Sequence, residues 1–299
     1  MARTIPYAVK GPVASIWGVL SNPYRLKSLL GRVVLYLVLL AGAVLVTIPF
    51  IWLISSSLKP QAQLVAFPPI WIPNPILWEN YPKALTALPF ARFIANTLII
   101  ATGATLGTLV SSSMGAFAFA RLRWRFRDVV FFALLLTIML PGQITMIPRF
   151  VLFAKLGWVN TYLPLIVPAW FANPFFVFLM RQFFMGLPTE LDDAARIDGA
   201  SIFGIYWRIM LPLSKPVLAT VALFSVQHHW NAFIGPLIYL HDLDKFTAAI
   251  GLRYFVTDTQ VHYSLQMAAS AAFSIPIIVL FFVGQRYFIQ GIVFTGVKG

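Results

Sequence analysis

Residues 189–212, TELDDAARIDGASIFGIYWRIMLP, form the only long polar run with strongly apolar sequence on both sides. Four of the chain's nine acids, Glu190, Asp192, Asp193 and Asp198, fall in its first ten residues. Pro188 and Thr189 read as a helix start, with Thr189 as N-cap and the acids in the first turn, where the helix dipole favours negative charge. Asp192, at the third helical position, reads as a short-armed capping box. Gly199 is placed to end this short helix in the left-handed conformation. A second helix follows, with Ile202, Ile205, Tyr206 and Ile209 on one apolar stripe, and Pro212 and Pro216 are expected to end it. The expected product is a knob of two short helices at an angle, shaped for another protein to grip.

The flanking sequence says where such a knob sits. The chain has 299 residues, of which 60% are hydrophobic and 10% charged. A soluble domain carries about 25% charged residues, so this composition predicts an all-α membrane protein with several spans. The apolar segments place six transmembrane helices, at 33–54, 93–120, 129–146, 163–184, 215–240 and 267–288. The knob lies between spans 4 and 5. Pro141-Gly142 breaks span 3, and a loop from Arg149 to Tyr162 leads to span 4. The Pro- and Trp-rich stretch 55–90 reads as a stiff loop along the membrane surface. Residues 241–266 read as a polar loop. Residues 1–32 are basic and Pro/Gly-broken, a cytoplasmic N-terminal segment and not a cleaved signal peptide. Residues 33–299 are the transmembrane domain, with no internal repeat.

Charge orients the layout. With the N-terminus in the cytoplasm, inner segments hold fifteen Lys/Arg and outer segments seven. The positive-inside rule then puts both termini and the knob in the cytoplasm. The net charge of +13 is topology and not a nucleic-acid footprint. The chain has no cysteine, which excludes disulfides and thiol chemistry.

Within the spans, two patterns stand out. Gly103, Gly107, Ser111 and Gly115 recur every fourth residue of span 2, a stripe for close helix packing in lipid and not a catalytic serine. In span 5, Gln227, Trp230, Asn231 and Ile234 share one face. Asn offers amide donors and an acceptor to hydroxyls, and Trp a face to a sugar ring. Gln227, Trp230 and Asn231, with Asn173 in span 4 and Gln143 in span 3, are candidates for a solute path. The adjacent His228 and His229 lack a third metal ligand at usable spacing. No P-loop, H-E-x-x-H or G-x-S-x-G motif is present, and no acid lies inside the six spans. The chain is therefore read as a non-enzyme without a visible energy source of its own, and a separate motor is implied.

Asp193-Ala194-Ala195, three residues, Gly199, nine residues, then Ile209-x-Leu211-Pro212 resembles the EAA loop of ABC-importer permeases, with Asp193 where the family usually has Glu. Together with Arg181-Gln182-Phe183-Phe184, Trp230-Asn231 and the closing Gly296-Val297-Lys298-Gly299, it resembles the carbohydrate-uptake branch, and most nearly the G-type subunit of maltose-like importers. The resemblance covers residues 33–299. It implies a multi-pass protein of a bacterial or archaeal cell membrane, a second homologous permease subunit, two ATPase subunits, an extracytoplasmic solute-binding protein and a sugar-type solute. ATP and Mg would be bound by the ATPases, with no cofactor on this chain. The knob would be the coupling helix, with Glu190, Asp193, Ala194, Ala195, Gly199, Ala200, Phe203, Leu211 and Pro212 as its coupling residues, and the 241–266 loop would meet the binding protein. Two alternatives stay open. One is the same machinery built for a non-sugar solute such as glycerol phosphate; the other is a self-contained channel or secondary transporter.

Overall fold

The protein is described by a computed structural model covering residues 23–255 and 262–293. Residues 1–22, part of the loop after residue 255, and the closing GVKG lie outside the described residues. Among the described residues every regular element is helical. The chain divides into two units, residues 1–53 and 54–299. The described part of the first belongs to one apolar helix, α1 (Pro23–Ser57), which runs past the predicted span 1 at both ends.

The second unit begins with two short helices, α2 (Gln61–Leu64) and α3 (Asn80–Ala87), where the sequence predicted only a loop. Asn80 closes this segment by donating from Nδ2 to the carbonyls of Ser57 (2.9 Å) and Lys59 (3.1 Å). The central helix is α4 (Phe90–Arg121). Then come α5 (Arg127–Leu136), α6 (Gly142–Lys155), α7 (Leu163–Ile166) with a 3-10 turn over Val167–Phe171, and α8 (Pro174–Met185). The knob follows, and after it α12 (Lys215–Trp230), α13 (Ile234–Tyr239), α14 (Ala248–Arg253) and α15 (Tyr263–Val293); the knob's own helices, α9 to α11, are described below. Helix α4 packs against α8, α12 and the 3-10 turn, and α15 packs against α12 and α3.

Among the described residues, four helices are long and apolar enough to cross a membrane: Leu29–Ser57, Phe90–Arg121, Leu163–Met185 and Tyr263–Gln285. Two bent pairs bring the number to as many as six: Arg127–Met139 with Gly142–Lys155, bent by 97°, and Ile202–Leu213 with Lys215–Trp230, bent by 78°. The first bend falls where Pro141-Gly142 predicted a break. Beyond it, however, Arg149–Lys155 is helix and not loop. Phe153, buried and stacked on Trp158 (5.4 Å between centroids) and edge-on to Tyr239 (5.5 Å), carries α6 past Pro148. Tertiary packing overrides the local preference. Span 5 is likewise shorter than predicted, because its helix stops at Trp230 and a second one starts at Ile234.

The small-residue stripe of α4 does what its spacing predicts. A Cβ added at Gly103 would lie 3.2 Å from Ile166, one at Gly107 2.4 Å from the Trp170 ring, and one at Gly115 3.6 Å from Val177. Ser111 donates to the Ala169 carbonyl (3.2 Å) and accepts from the Ala172 N–H (3.0 Å), and Ser112 Oγ accepts from the Asn173 N–H (3.1 Å). These hydroxyls satisfy backbone groups that the break at Ala172 (φ 61°) frees from helix hydrogen bonding. The stripe therefore seats a broken span against an unbroken one.

Gly251 makes a tighter contact than any stripe position except Gly107. Its added Cβ would fall 2.4 Å from Phe93 Cδ2, and Phe93 is fully buried, whereas Trp170, opposite Gly107, is half exposed and free to swing out. Gly251→Ala is expected to destabilise the fold by about 1–3 kcal/mol, the usual cost of overpacking, and Gly107→Ala by less. Thermal unfolding of the purified variants in detergent checks the order.

Candidate functional site

The knob consists of α9 (Glu190–Ile197), α10 (Ile202–Ile205), a π-helical turn over Tyr206–Met210, and α11 (Leu211–Leu213). Gly199 has φ +79° and ends α9 as its position predicted. The Ala200 N–H reaches back to the Ala195 carbonyl (2.9 Å) and the Gly199 N–H to that of Arg196 (3.0 Å). This paired closure is the Schellman motif. Ser201 then caps α10, accepting from the Gly204 N–H at 3.1 Å. Ser201, two residues after Gly199, is an N-cap signal that could have marked where the predicted second helix starts.

Four expectations change. Thr189 sits before α9 in helical conformation and its side chain makes no cap; its carbonyl instead accepts from the N–H groups of Asp192 (2.9 Å) and Asp193 (3.2 Å). Asp192 is no capping box but a buried carboxylate 3.4 Å from Arg121 Nε at the end of α4. The second helix does not keep the predicted stripe: Ile202 is exposed, and Met210 is buried with Ile205 and Tyr206. The π turn widens the repeat and moves the buried face on by one residue. Pro212 and Pro216 do not end the helix. Each stands in the first turn of a new one, where its missing N–H is an orphan anyway.

Arg121 is the residue sequence reasoning missed, since nothing set it apart from the three other arginines of RLRWRFRD. Both side chains of the pair are nearly inaccessible, at 5% for Arg121 and 9% for Asp192. Arg121 also donates from a terminal nitrogen to the Leu187 carbonyl (2.8 Å). Asp192 Oδ1 has no hydrogen-bond partner among the described residues. Burial pushes the Asp192 carboxyl above its ordinary value, and the opposing pull of Arg121 and Arg196 only partly offsets it. The knob is thus anchored to the central helix by the ion pair and a hydroxyl hydrogen bond between Ser113 and Tyr206 (2.8 Å), and by the packing of Ala195, Ile205, Tyr206 and Met210 on Phe117 of that helix and Phe184 of α8.

The outward face is different. Glu190, Asp193 and Ala194 are exposed. Beside them Ile197 is 87% exposed, and Phe203 and Trp207 are each 61% exposed, with the two rings stacked at 6.3 Å. Ala195 and Leu211 face inward against the core, and Ala200 packs at its edge. The arrangement is an acidic helix end beside an uncovered aromatic and aliphatic patch, held on a rigid turn.

The residues read as a solute path do not come together. Trp230 is buried, its ring stacked on Phe273 (5.0 Å) and its Nε1 donating to the Phe273 carbonyl (3.3 Å). It belongs to the core. Gln227 and Asn231 are exposed, and Asn231 closes the end of α12 by donating to the Gln227 carbonyl (3.0 Å). Ile234 is on a different helix. Gln143 is exposed on α6. Asn173 caps α8 through Oδ1, accepting from Phe175 N–H (3.0 Å) and Phe176 N–H (3.4 Å), and it alone of the five lines an open cleft of about 850 Å³. Arg149, His228 and His229 line that cleft as well.

At the end of the molecule away from the knob, the 241–255 segment is pinned to its surroundings. Asn160 Oδ1 accepts from the His241 (3.1 Å) and Asp242 (3.2 Å) N–H groups, and Asn96 Nδ2 donates to the Asp244 (2.8 Å) and Phe246 (2.9 Å) carbonyls. Arg92 pairs with Asp244. Hydrogen bonds from Lys245 and Asn160 hold the Asp242 carboxyl below its ordinary value. Residues 241–255 of the predicted polar loop are thus a pinned platform carrying α14.

Comparison with known proteins agrees with this anatomy. Arabinooligosaccharides transport system permease protein AraQ of Halalkalibacterium halodurans is 38% identical over 260 residues, covering 86% of this chain and 93% of that protein. AraQ of Bacillus subtilis is 32% identical over 271 residues, covering 90% and 96%. The sn-glycerol-3-phosphate transport system permease protein UgpE of Yersinia pestis is 32% identical over 267 residues, covering 86% and 94%. A chain from the crystal structure of a bacterial ABC transporter involved in the import of the acidic polysaccharide alginate shares the fold, with TM-score 0.75 and 24% identity over 93% of this chain and 100% of that one. Residues 107–293 match the family profile described as binding-protein-dependent transport system inner membrane component. The chain belongs to that family, the permeases of ABC importers, and is a multi-pass protein of the cell membrane.

Proposed function

We propose that this chain forms half of the translocation path of an importer for a sugar or related solute. In this reading it has six spans, with both bent helix pairs crossing the membrane and both termini and the knob in the cytoplasm. Residues 33–299 make up the permease domain, and residues 1–32 are a cytoplasmic leader. Its partners are a second homologous permease, two ATPase subunits that carry ATP and Mg, and an extracytoplasmic solute-binding protein. The chain itself binds no cofactor and catalyses no reaction.

The observation that carries the proposal is the knob. An exposed apolar patch at Ile197, Phe203 and Trp207, next to Asp193 and Ala194, is what a partner's cleft would cover. The small side chains of Ala194 and Ala200 allow close seating, and Gly199 sets the angle between the two helices. Through Arg121–Asp192 a push on the knob reaches the central helix, which is how ATP-driven closure of the ATPases would move the spans. The two AraQ relatives support a sugar-type solute. UgpE, as similar as the Bacillus subtilis AraQ at 32% identity, supports a second reading in which the same machinery carries a glycerol phosphate.

The test is purification of the tagged chain in mild detergent and identification of the proteins that come with it. Co-purification of a second permease and an ATPase is expected. Recovery of the chain alone, as a stable homo-oligomer, would overturn the proposal and revive a self-contained channel.

A further inference from the structure

The cleft is lined by the end of α12, by α6, α8 and α13, and by the 3-10 turn before α8. At about 850 Å³ it falls within the size range of small-molecule sites, roughly 300–1,000 Å³. Its charge is one-sided. Arg149, His228 and His229 line it, and no Asp or Glu does. Arg149 is exposed and makes no ion pair or hydrogen bond among the described residues. The two imidazoles meet edge to face at 5.1 Å and each brings an N–H donor even when neutral. Asn173 spends its Oδ1 on the cap of α8, and its Nδ2 donors have no partner among the described residues. Phe175, half exposed, and Phe233 add aromatic rings to the lining.

A cationic fork and unused N–H donors in the wall of a membrane protein are costly unless something answers them. A planar guanidinium answers best to a carboxylate or a phosphate, which it can hold by two parallel hydrogen bonds. The aromatic faces suit the C–H surface of a sugar ring. We propose that this cleft is the subunit's own solute station and that it takes a hydroxylated anion, a sugar or polyol bearing a carboxylate or a phosphate ester. Arg149 holds the anionic group, the histidines and Asn173 donate to it or to hydroxyls, and the aromatics cover the ring. That the anion is transported cargo rests on the importer reading above; that the cleft prefers anions does not.

The chain has no cysteine, so Ala232→Cys in the cleft wall creates a single reactive thiol. The full-length variant in nanodiscs is treated with negatively charged sulfonatoethyl and positively charged trimethylammonioethyl methanethiosulfonate, each rate divided by that with a free thiol in solution. The anionic reagent is expected to react about tenfold faster, the scale of focusing in a one-sign cleft, and Arg149→Gln to abolish the preference. Millimolar galacturonate or glycerol 3-phosphate should slow labelling, and glucose should not. Equal rates for the two reagents, protection by glucose as strong as by the anions, or no protection by either anion would overturn the proposal. If Ala232→Cys purifies unfolded, Ala169→Cys in the same wall gives the same readout. Failure of the importer reading shows itself separately, as absence of an ATPase from the purified assembly, and leaves the labelling result standing.

Discussion

Arg121→Met is expected to destabilise the protein by about 3–5 kcal/mol, the cost of stripping one partner from a buried ion pair. The nearly inaccessible carboxylate of Asp192 would lose its ion-pair partner and keep only the weaker pull of Arg196. The double variant Arg121→Met/Asp192→Leu should recover most of that loss, because two apolar side chains of similar volume remove both desolvation penalties together. Differential scanning fluorimetry of the wild type, both single variants and the double variant closes the cycle. A double variant no more stable than Arg121→Met alone would show that the pair does not carry the anchoring. The same site predicts a pH dependence. The folded Asp192 holds its proton to higher pH than the unfolded chain does. From the ordinary carboxylate value of about 4 up to the raised native value, the folded state binds more protons, so this residue's contribution to stability falls as pH rises. Asp192→Asn should remove that slope.

Gly199→Pro should sharply lower uptake while leaving the protein in the membrane. Proline holds φ near −65°, and the native angle is +79°. It also lacks the N–H that donates to the Arg196 carbonyl. The Schellman closure fails on both counts, and α10 leaves α9 at another angle. The knob would then present Phe203 and Trp207 in the wrong place relative to Asp193. A fall in solute-stimulated ATP hydrolysis and uptake of at least about tenfold is expected, the scale of a coupling free energy near 1.4 kcal/mol or more. Gly199→Asn should retain most activity, because Asn is the side chain that best tolerates the left-handed region. Normal uptake by the proline variant, reconstituted with its partners, would remove the knob from the coupling route.

Much of this was legible without coordinates. A chain with so few charges cannot cover a water-facing surface, so the membrane class followed from composition. The four-residue recurrence of Gly103, Gly107, Ser111 and Gly115 fixed which face of α4 is packed, because helix geometry leaves no other reading of that period. The Asp193-Ala194-Ala195 to Pro212 spacing marked the knob, and Gly199 its turn, because only a residue without a Cβ takes φ +79° at no cost.

Tertiary structure decided what local spacing leaves open. Gln227, Trp230 and Asn231 share a helical face in sequence, but a face is not a destination. Phe273, 43 residues away, buries Trp230, and the end of the helix occupies Asn231. Asp192 looked like a first-turn acid and Arg121 like one basic residue among four. Their pairing spans 71 positions of chain, the gap between residues 121 and 192, and no local rule reaches that far. Arg149, His228 and His229 line one cleft because two helix pairs bend and the chain breaks at Ala172 before α8. The sequence alone determined the membrane fold class and the position of the knob, which local periodicity and backbone geometry encode. The site chemistry depends on which helices meet, and only the packed structure settles that.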